Sequence, residues 1–294
     1  MPREPLDSAD PNGWTGFREA RFRLSAPYFH HYAEKVLHFD PAIRQGIEDA
    51  VARMDEAACF HRGRGGEAKG IDPKQLNLHL RDRLQSVNPE WTFETTLEDG
   101  VMYDHGNHIG AAVGGFDISR YDVAENLMRL RNVCFGRRPR TDGEDHWRAC
   151  LAARPHWARV AAEIDWDSYP RGEDHSLQAK RPTILGELQF GNWGLAYRDY
   201  LKVVAADREV DIDCFLYLVP TGNLERYLSS GIVTFTNATR YLKTVAPAVP
   251  VPIVVWGIDV DVGPWKRPLT QEAIAIMRTR VGRQASEEPE EGPE

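Results

Sequence analysis

The sequence predicts an α/β fold, a central mixed β-sheet flanked by helices, and two observations carry that expectation. From Thr183 onward, short apolar runs alternate with amphipathic stretches, the pattern of strands covered by helices on both faces. The chain has 294 residues, 42% of them hydrophobic, enough to bury a sizeable core in one large domain or in a domain with a subdomain.

Taken in order, residues 1–27 are rich in Pro, Asp and Arg and read as a loosely held arm. Asp40-Pro41 opens a helix, Asp as N-cap and Pro at the first helical position, with Ile43, Ile47, Val51 and Met54 recurring at helical spacing. The stretch from His61 to Gly70 is a glycine-rich basic loop; it lacks the P-loop pattern, which favours a solvent loop over a phosphate grip. A second helix near Pro73 to Gln85 places Leu76, Leu80 and Leu84 on one stripe. Gly100 to Gly115 is loop-like and Asp122 to Cys134 forms a basic amphipathic helix, so residues from about 99 to 150 read as an insertion. Asp104, His105 and His108 within it could ligate a metal, but polar surface is the better reading on such a loop.

Beyond Thr183 the pattern gives a strand at 183–190, a helix at about 194–206, a strand at 210–219 and a helix at about 223–229. A strand at 231–236, a helix capped by Asn237 and a strand at 251–260 follow. Thr270 to Val281 is a last amphipathic helix within 270–281, and 282–294 is a disordered acidic tail. The remainder, 28–269, reads as one domain.

A formal net charge of −8 excludes a global basic field and non-specific coating of nucleic acid, but not a local cleft. Positive charge clusters at Arg129, Arg131, Arg137, Arg138 and Arg140, and again at Lys180-Arg181; these are phosphate contacts or a solvated helix and loop. Cys59, Cys134, Cys150 and Cys214 are scattered and read as buried thiols in a reducing compartment. No run of eighteen apolar residues and no signal peptide is present, so a soluble cytoplasmic protein without a membrane partner is expected.

The chemistry concentrates in Pro182-Thr-Ile-Leu-Gly-Glu187-Leu188-Gln189-Phe-Gly-Asn192-Trp193. On a strand Glu187 and Gln189 emerge on one side while Leu188 faces the core. A lone buried carboxylate is costly unless it meets a metal, a base or a proton. An Asp from the polar turn Arg171-Gly-Glu173-Asp174-His175 could join Glu187 at one hard cation, and two carboxylates with a strand carbonyl suit Mg²⁺. The bland alternative is a solvated edge strand with an ordinary Glu/Gln pair.

The run Glu187-Leu188-Gln189-Phe190-Gly191-Asn192-Trp193 resembles the signature of the BglII/BstYI type of restriction endonuclease, a PD-(D/E)XK branch in which Gln replaces the usual Lys. The likeness continues through Asp211-Ile-Asp213, Leu218-Val-Pro220, Ser229-Ser230-Gly231-Ile232 and Val249 to Ile258. Upstream it is thinner, in Met54 to Cys59, Leu76-Asn77 and Trp91. The resemblance covers roughly 32–98 and 170–260.

It implies a restriction-endonuclease-like core, a homodimer, double-stranded DNA as substrate with short 5′ overhangs as product, and a cognate DNA methyltransferase as genetic partner. It also implies Mg²⁺ held by an Asp, Glu187 and the Leu188 carbonyl, with Gln189 orienting the attacking water. The family's Asp, nine residues before its Glu, falls on Gln178 here; Asp174 is the replacement expected, with Asp165 and Asp167 as fallbacks. Base reading is implied for Asn192, Ser229 and Ser230, and phosphate contact is expected of Lys180, Arg181, Arg137 and Arg138. The rival readings are a DNA-binding protein on this fold that has lost cleavage, and a nuclease for repair or for modified DNA.

Overall fold

The computed structural model describes residues 22–54, 60–62, 68–104, 113–192, 194–228 and 231–260. In chain order the elements are β1 (Phe22–Leu24), β2 (Tyr28–His30), α1 (Ala33–Phe39), α2 (Pro41–Ala52), β3 (Phe60–Arg62), β4 (Ala68–Ile71) and α3 (Pro73–Val87). Next come β5 (Thr92–Glu98), β6 (Val101–Tyr103), β7 (Val113–Arg120), α4 (Val123–Phe135), α5 (Gly143–Ala153) and α6 (Pro155–Glu163). Then follow β8 (Ile184–Leu188), α7 (Leu195–Asp207), β9 (Cys214–Pro220), α8 (Gly222–Tyr227), α9 (Phe235–Val245) and β10 (Ile253–Val260).

Local signals account for several helix starts. The Asp72 side chain accepts from Lys74 N at 2.8 Å to cap α3, and Leu76, Leu80 and Leu84 are fully buried on its inner stripe. Asp122 caps α4 through Ala124 N and Glu125 N. Two expected caps differ. Asp40 precedes Pro41 as predicted, but its carboxylate makes no cap bond; it accepts from Arg120 Nη1 at 2.6 Å, because that buried guanidinium draws in both Asp40 and Glu90. The cap of α9 is Thr234, whose hydroxyl accepts from Asn237 N.

The main sheet runs in the order β1-β10-β9-β8-β7-β5-β6, with β2 also pairing to β10. Strands β8, β9 and β10 are mutually parallel, and β7 is antiparallel to β8. Alternation then divides the core in two: Ile184, Leu188, Leu216 and Leu218 pack with α2 and α3, while Leu185, Phe215 and Tyr217 pack with α4, α6, α7 and α9. The mixed sheet with helices on both faces is therefore as predicted. Among the described residues no helix is long and apolar enough to cross a membrane, and Cys134, Cys150 and Cys214 are buried and free.

Three expectations are corrected. Phe22–Leu24, assigned to the arm, pairs with β10 as β1. Residues 231–236 are not a strand; only Ile232 bridges to Asn192, and α9 starts at Phe235. Residues 113–120, read as part of the insertion, form a central strand, and helices α4 to α6 lie between β7 and β8. Residues 1–21, Cys59, Gly66, His105, His108, the expected helix 270–281 and the tail 282–294 lie outside the described residues.

At Gly186, where β8 lies between β7 and β9, a Cβ would meet the Leu216 carbonyl oxygen at 2.7 Å and an Ile118 side-chain carbon at 2.9 Å. Backbone cannot yield as a flexible side chain can. Gly186→Ala is therefore expected to cost about 1–3 kcal/mol, read as a lowered denaturation midpoint; an unshifted midpoint would contradict this packing.

Candidate active site

Strand β8 delivers Glu187 with only 5% exposure and turns Leu188 into the opposite core, as the alternation requires. Antiparallel β7 brings Asp117 alongside: Ile118 is the partner of Gly186, and Asp117 Oδ2 accepts from Leu188 N at 2.8 Å. Asn77 of α3 donates Nδ2 to the same Asp117 oxygen at 3.2 Å and to the Leu188 carbonyl at 3.3 Å. One turn on, Arg81 binds both Asp117 and Glu94. From the other face Lys202 of α7 donates to Glu187 and, at 2.8 Å, to the Gly115 carbonyl.

Burial dominates the electrostatics. Glu187 is pushed up to about 8, first by burial and then by the charge of Asp117, with Lys202 opposing. Asp117 is also raised, by burial, against the pull of Arg81 and the Leu188 N–H bond. Two carboxylates, the Leu188 carbonyl and the Asn77 amide thus converge, and Asn77 Oδ1 is a buried oxygen with no protein partner. The two carboxylates and the Leu188 carbonyl give an oxygen donor set that fits a hard divalent cation. Among the described residues no group of three or more His, Cys, Asp or Glu side chains is arranged for a metal, so the carbonyl and water would complete the shell.

Gln189 emerges beside Glu187, as predicted, and both ends of its amide are engaged: Nε2 donates to Asp199 Oδ2 at 2.9 Å and Oε1 accepts from Gly191 N at 3.0 Å. Asn192 forms an antiparallel bridge with Ile232, and Val233 N donates to the Gly191 carbonyl, so the loop after β8 lies against the one before α9. Asn192 Oδ1 itself accepts from Gly194 N, the turn role that competes with base contact. Trp193, Ser229 and Ser230 lie outside the described residues.

The structure does not bring Asp174 to Glu187. Its Oδ1 accepts from Arg137 N at 2.9 Å, and the whole turn is tied to the end of α4 through Gly172 N to Phe135 O, His175 N to Asn132 Oδ1 and Arg131 to the Glu173 carbonyl. Asp165 accepts from Ser168, and Asp167 lines a cavity with Trp147, Trp166 and Tyr169. The acidic groups that act on Glu187 are Asp117 and Asp199.

Of the basic residues, Arg137 and Arg138 are exposed on an open cleft of about 760 Å³ shared with Arg129, Arg140 and Asp174. Arg129 is paired with Glu125, and Arg140 with Asp142. Arg131 is buried, donating to the carbonyls of Tyr169, Pro170 and Glu173, which makes it a structural cation. Arg181 is bound to Glu90, and Lys180 is exposed with its backbone N–H donated to Asp122.

Sequence reasoning missed Asp117, Lys202 and Arg81, and quoted Asn77 without a role. The available signal was Phe116-Asp117-Ile118, a lone acid between apolar residues, hidden by the glycine-rich stretch before it.

A family model described as restriction endonuclease BglII/BglIII matches residues 26–258. Among solved structures, the crystal structure of BglII complexed with a DNA 16-mer is similar at 12% identity and TM-score 0.42, over 83% of this chain and 77% of that one. Free BglII is similar at 12% identity and TM-score 0.39, over 79% and 77%. No curated protein matches the chain.

Because the folded-state value of Glu187 lies above its ordinary 4.5, its protonation favours the folded metal-free protein. That contribution is complete below pH 4.5 and is lost as pH rises through about 8. In EDTA the melting temperature of Glu187→Gln should therefore gain on wild type between those limits; a constant difference would refute it.

Proposed function

The chain belongs to the BglII/BglIII restriction endonuclease family, which makes it a type II enzyme of site-specific DNA cleavage, and we propose that it cuts by Mg²⁺-dependent phosphodiester hydrolysis. The observation that carries this reading is the pair of carboxylates, buried Glu187 and half-buried Asp117, brought together by antiparallel β7 and β8, with Asp117 bound to the Leu188 N–H. Asp117, Glu187 and the Leu188 carbonyl would hold the cation. When bound, Mg²⁺ would neutralise charge on a non-bridging phosphate oxygen and lower the pKa of a water.

The chain's own groups do the positioning. Gln189 carries no charge; with Nε2 held by Asp199, its Oε1 keeps a second lone pair to accept from the attacking water. Arg137, Arg138 and Lys180 supply exposed positive charge for phosphates. Arg181 would have to leave Glu90 to do the same. Asn192 is suited to a bidentate adenine contact and Ser229 and Ser230 to adaptable hydrogen bonds in the major groove. Cutting both strands of a short palindrome calls for a homodimer with two sites about a twofold axis, leaving 5′-phosphates and 5′ overhangs. Such an enzyme works in the cytoplasm beside a cognate DNA methyltransferase in a restriction-modification system.

Asp117→Ala and Glu187→Ala are expected to lose supercoiled-plasmid cleavage by at least about a hundredfold, whereas Asp174→Ala keeps it. Full activity in Asp117→Ala would sink this assignment, and sequencing the cut ends reads site, stagger and symmetry together.

A further inference from the structure

Helix α7 buries Ala196, Tyr200, Val203 and Ala206, the ordinary amphipathic pattern, but turns two charged side chains inward with them. Its apolar Tyr197 and Leu201 are exposed at 40% and 70%, while Asp199 is fully buried and the Lys202 side chain is only 12% exposed. Charged side chains turned inward require a specific reason. Asp199 and Lys202 are three apart on the helix and so share a face, and Glu187 near the end of β8 and Gln189 just past it both turn toward α7. The two faces meet in register, Lys202 on Glu187 and Asp199 on Gln189.

We propose that Asp199 and Lys202 are positioning residues, a clamp of opposite charges by which α7 fixes the orientation of both working side chains, Glu187 of β8 and Gln189 just beyond it. Three contacts hold the ammonium: the Glu187 carboxylate, the Gly115 carbonyl at 2.8 Å, and the Phe116 ring with its centroid 4.4 Å away. A lysine so anchored keeps the Glu187 carboxylate in one rotamer and offsets the charge of the acidic pair before a cation arrives. Asp199 takes Gln189 Nε2 at 2.9 Å and the Tyr217 hydroxyl at 3.0 Å on one oxygen, and the exposed Arg198 at 3.2 Å on the other. A carboxylate only accepts, so the amide must present its nitrogen to Asp199 and its oxygen to Gly191. Tyr217 stands opposite Glu187 in the β8–β9 register, which ties Asp199 to the same point of the sheet.

This inference rests on the metal-dependent phosphodiesterase reading, and its test separates the two. Full-length wild type, Glu187→Gln, Lys202→Met, Lys202→Arg and Asp199→Asn are compared by kcat and KM on a duplex containing the site, and by melting without DNA in EDTA and in Mg²⁺. Lys202→Met and Asp199→Asn should lower kcat by about tenfold or more with KM within about twofold, and Lys202→Arg should recover part of the loss. Lys202→Met should also gain more melting temperature from Mg²⁺ than wild type, since its acidic pair has lost the internal cation.

Wild-type kcat in Lys202→Met and Asp199→Asn, or a Mg²⁺ gain in Lys202→Met equal to that of wild type, would overturn the clamp while Glu187→Gln stays inactive. Cleavage by Glu187→Gln at the wild-type rate would instead remove the underlying reading. Should Lys202→Met fail to fold, an unchanged kcat in Asp199→Asn overturns the proposal and a reduced kcat at constant KM supports it.

Discussion

Two carboxylates withdrawn from water on neighbouring strands are the constraint around which the middle of the molecule is organised. Burial raises both Asp117 and Glu187 above the usual carboxylate range, and the charge of Asp117 raises Glu187 further. The protein tolerates this by surrounding them with donors from both layers: Asn77 and Arg81 from α3 on one face, Lys202 from α7 on the other, and the Leu188 N–H between. Burying ionised groups is destabilising unless such partners are preorganised, and here they come from both layers. The glycine at 186 belongs to the same arrangement, because it lets β7 and β9 close on β8 from both sides.

Much of the fold was legible because periodicity and capping chemistry act locally. The Leu76, Leu80 and Leu84 stripe, the Pro at the start of α2 and the apolar runs of β8, β9 and β10 could be read directly. The functional strand was legible too, since Glu187 and Gln189 do share a face and Leu188 does turn to the core. What escaped was decided by tertiary context. Asp40 gave up its cap to a buried arginine far along the chain, and Asp117 sat in a stretch whose glycines masked a central strand. The acidic partner of Glu187 was sought within a hairpin's reach, but the chain makes a three-helix detour before returning.

That detour explains the placement of Asp174 as well. A side chain in the returning segment is captured by the helix it passes, and Asp174 shapes the turn at Arg137 next to an exposed basic cleft. The expected charge cluster likewise divides into two kinds. Arg131 is consumed by backbone carbonyls and holds the detour together, whereas Arg137 and Arg138 remain outside.

Asp117 and the Leu188 N–H that binds it are separated by 71 residues, and Lys202 comes later still. The site is therefore a long-range contact, and such contacts form only after the intervening chain has been ordered. Synthesis runs from the amino terminus, so a growing chain that displays Asp117 has neither Glu187 nor Lys202 beside it. The Asp117, Glu187 and Lys202 cluster is thereby withheld until α7 has emerged and β8 has docked, a timing imposed by the order of the residues alone.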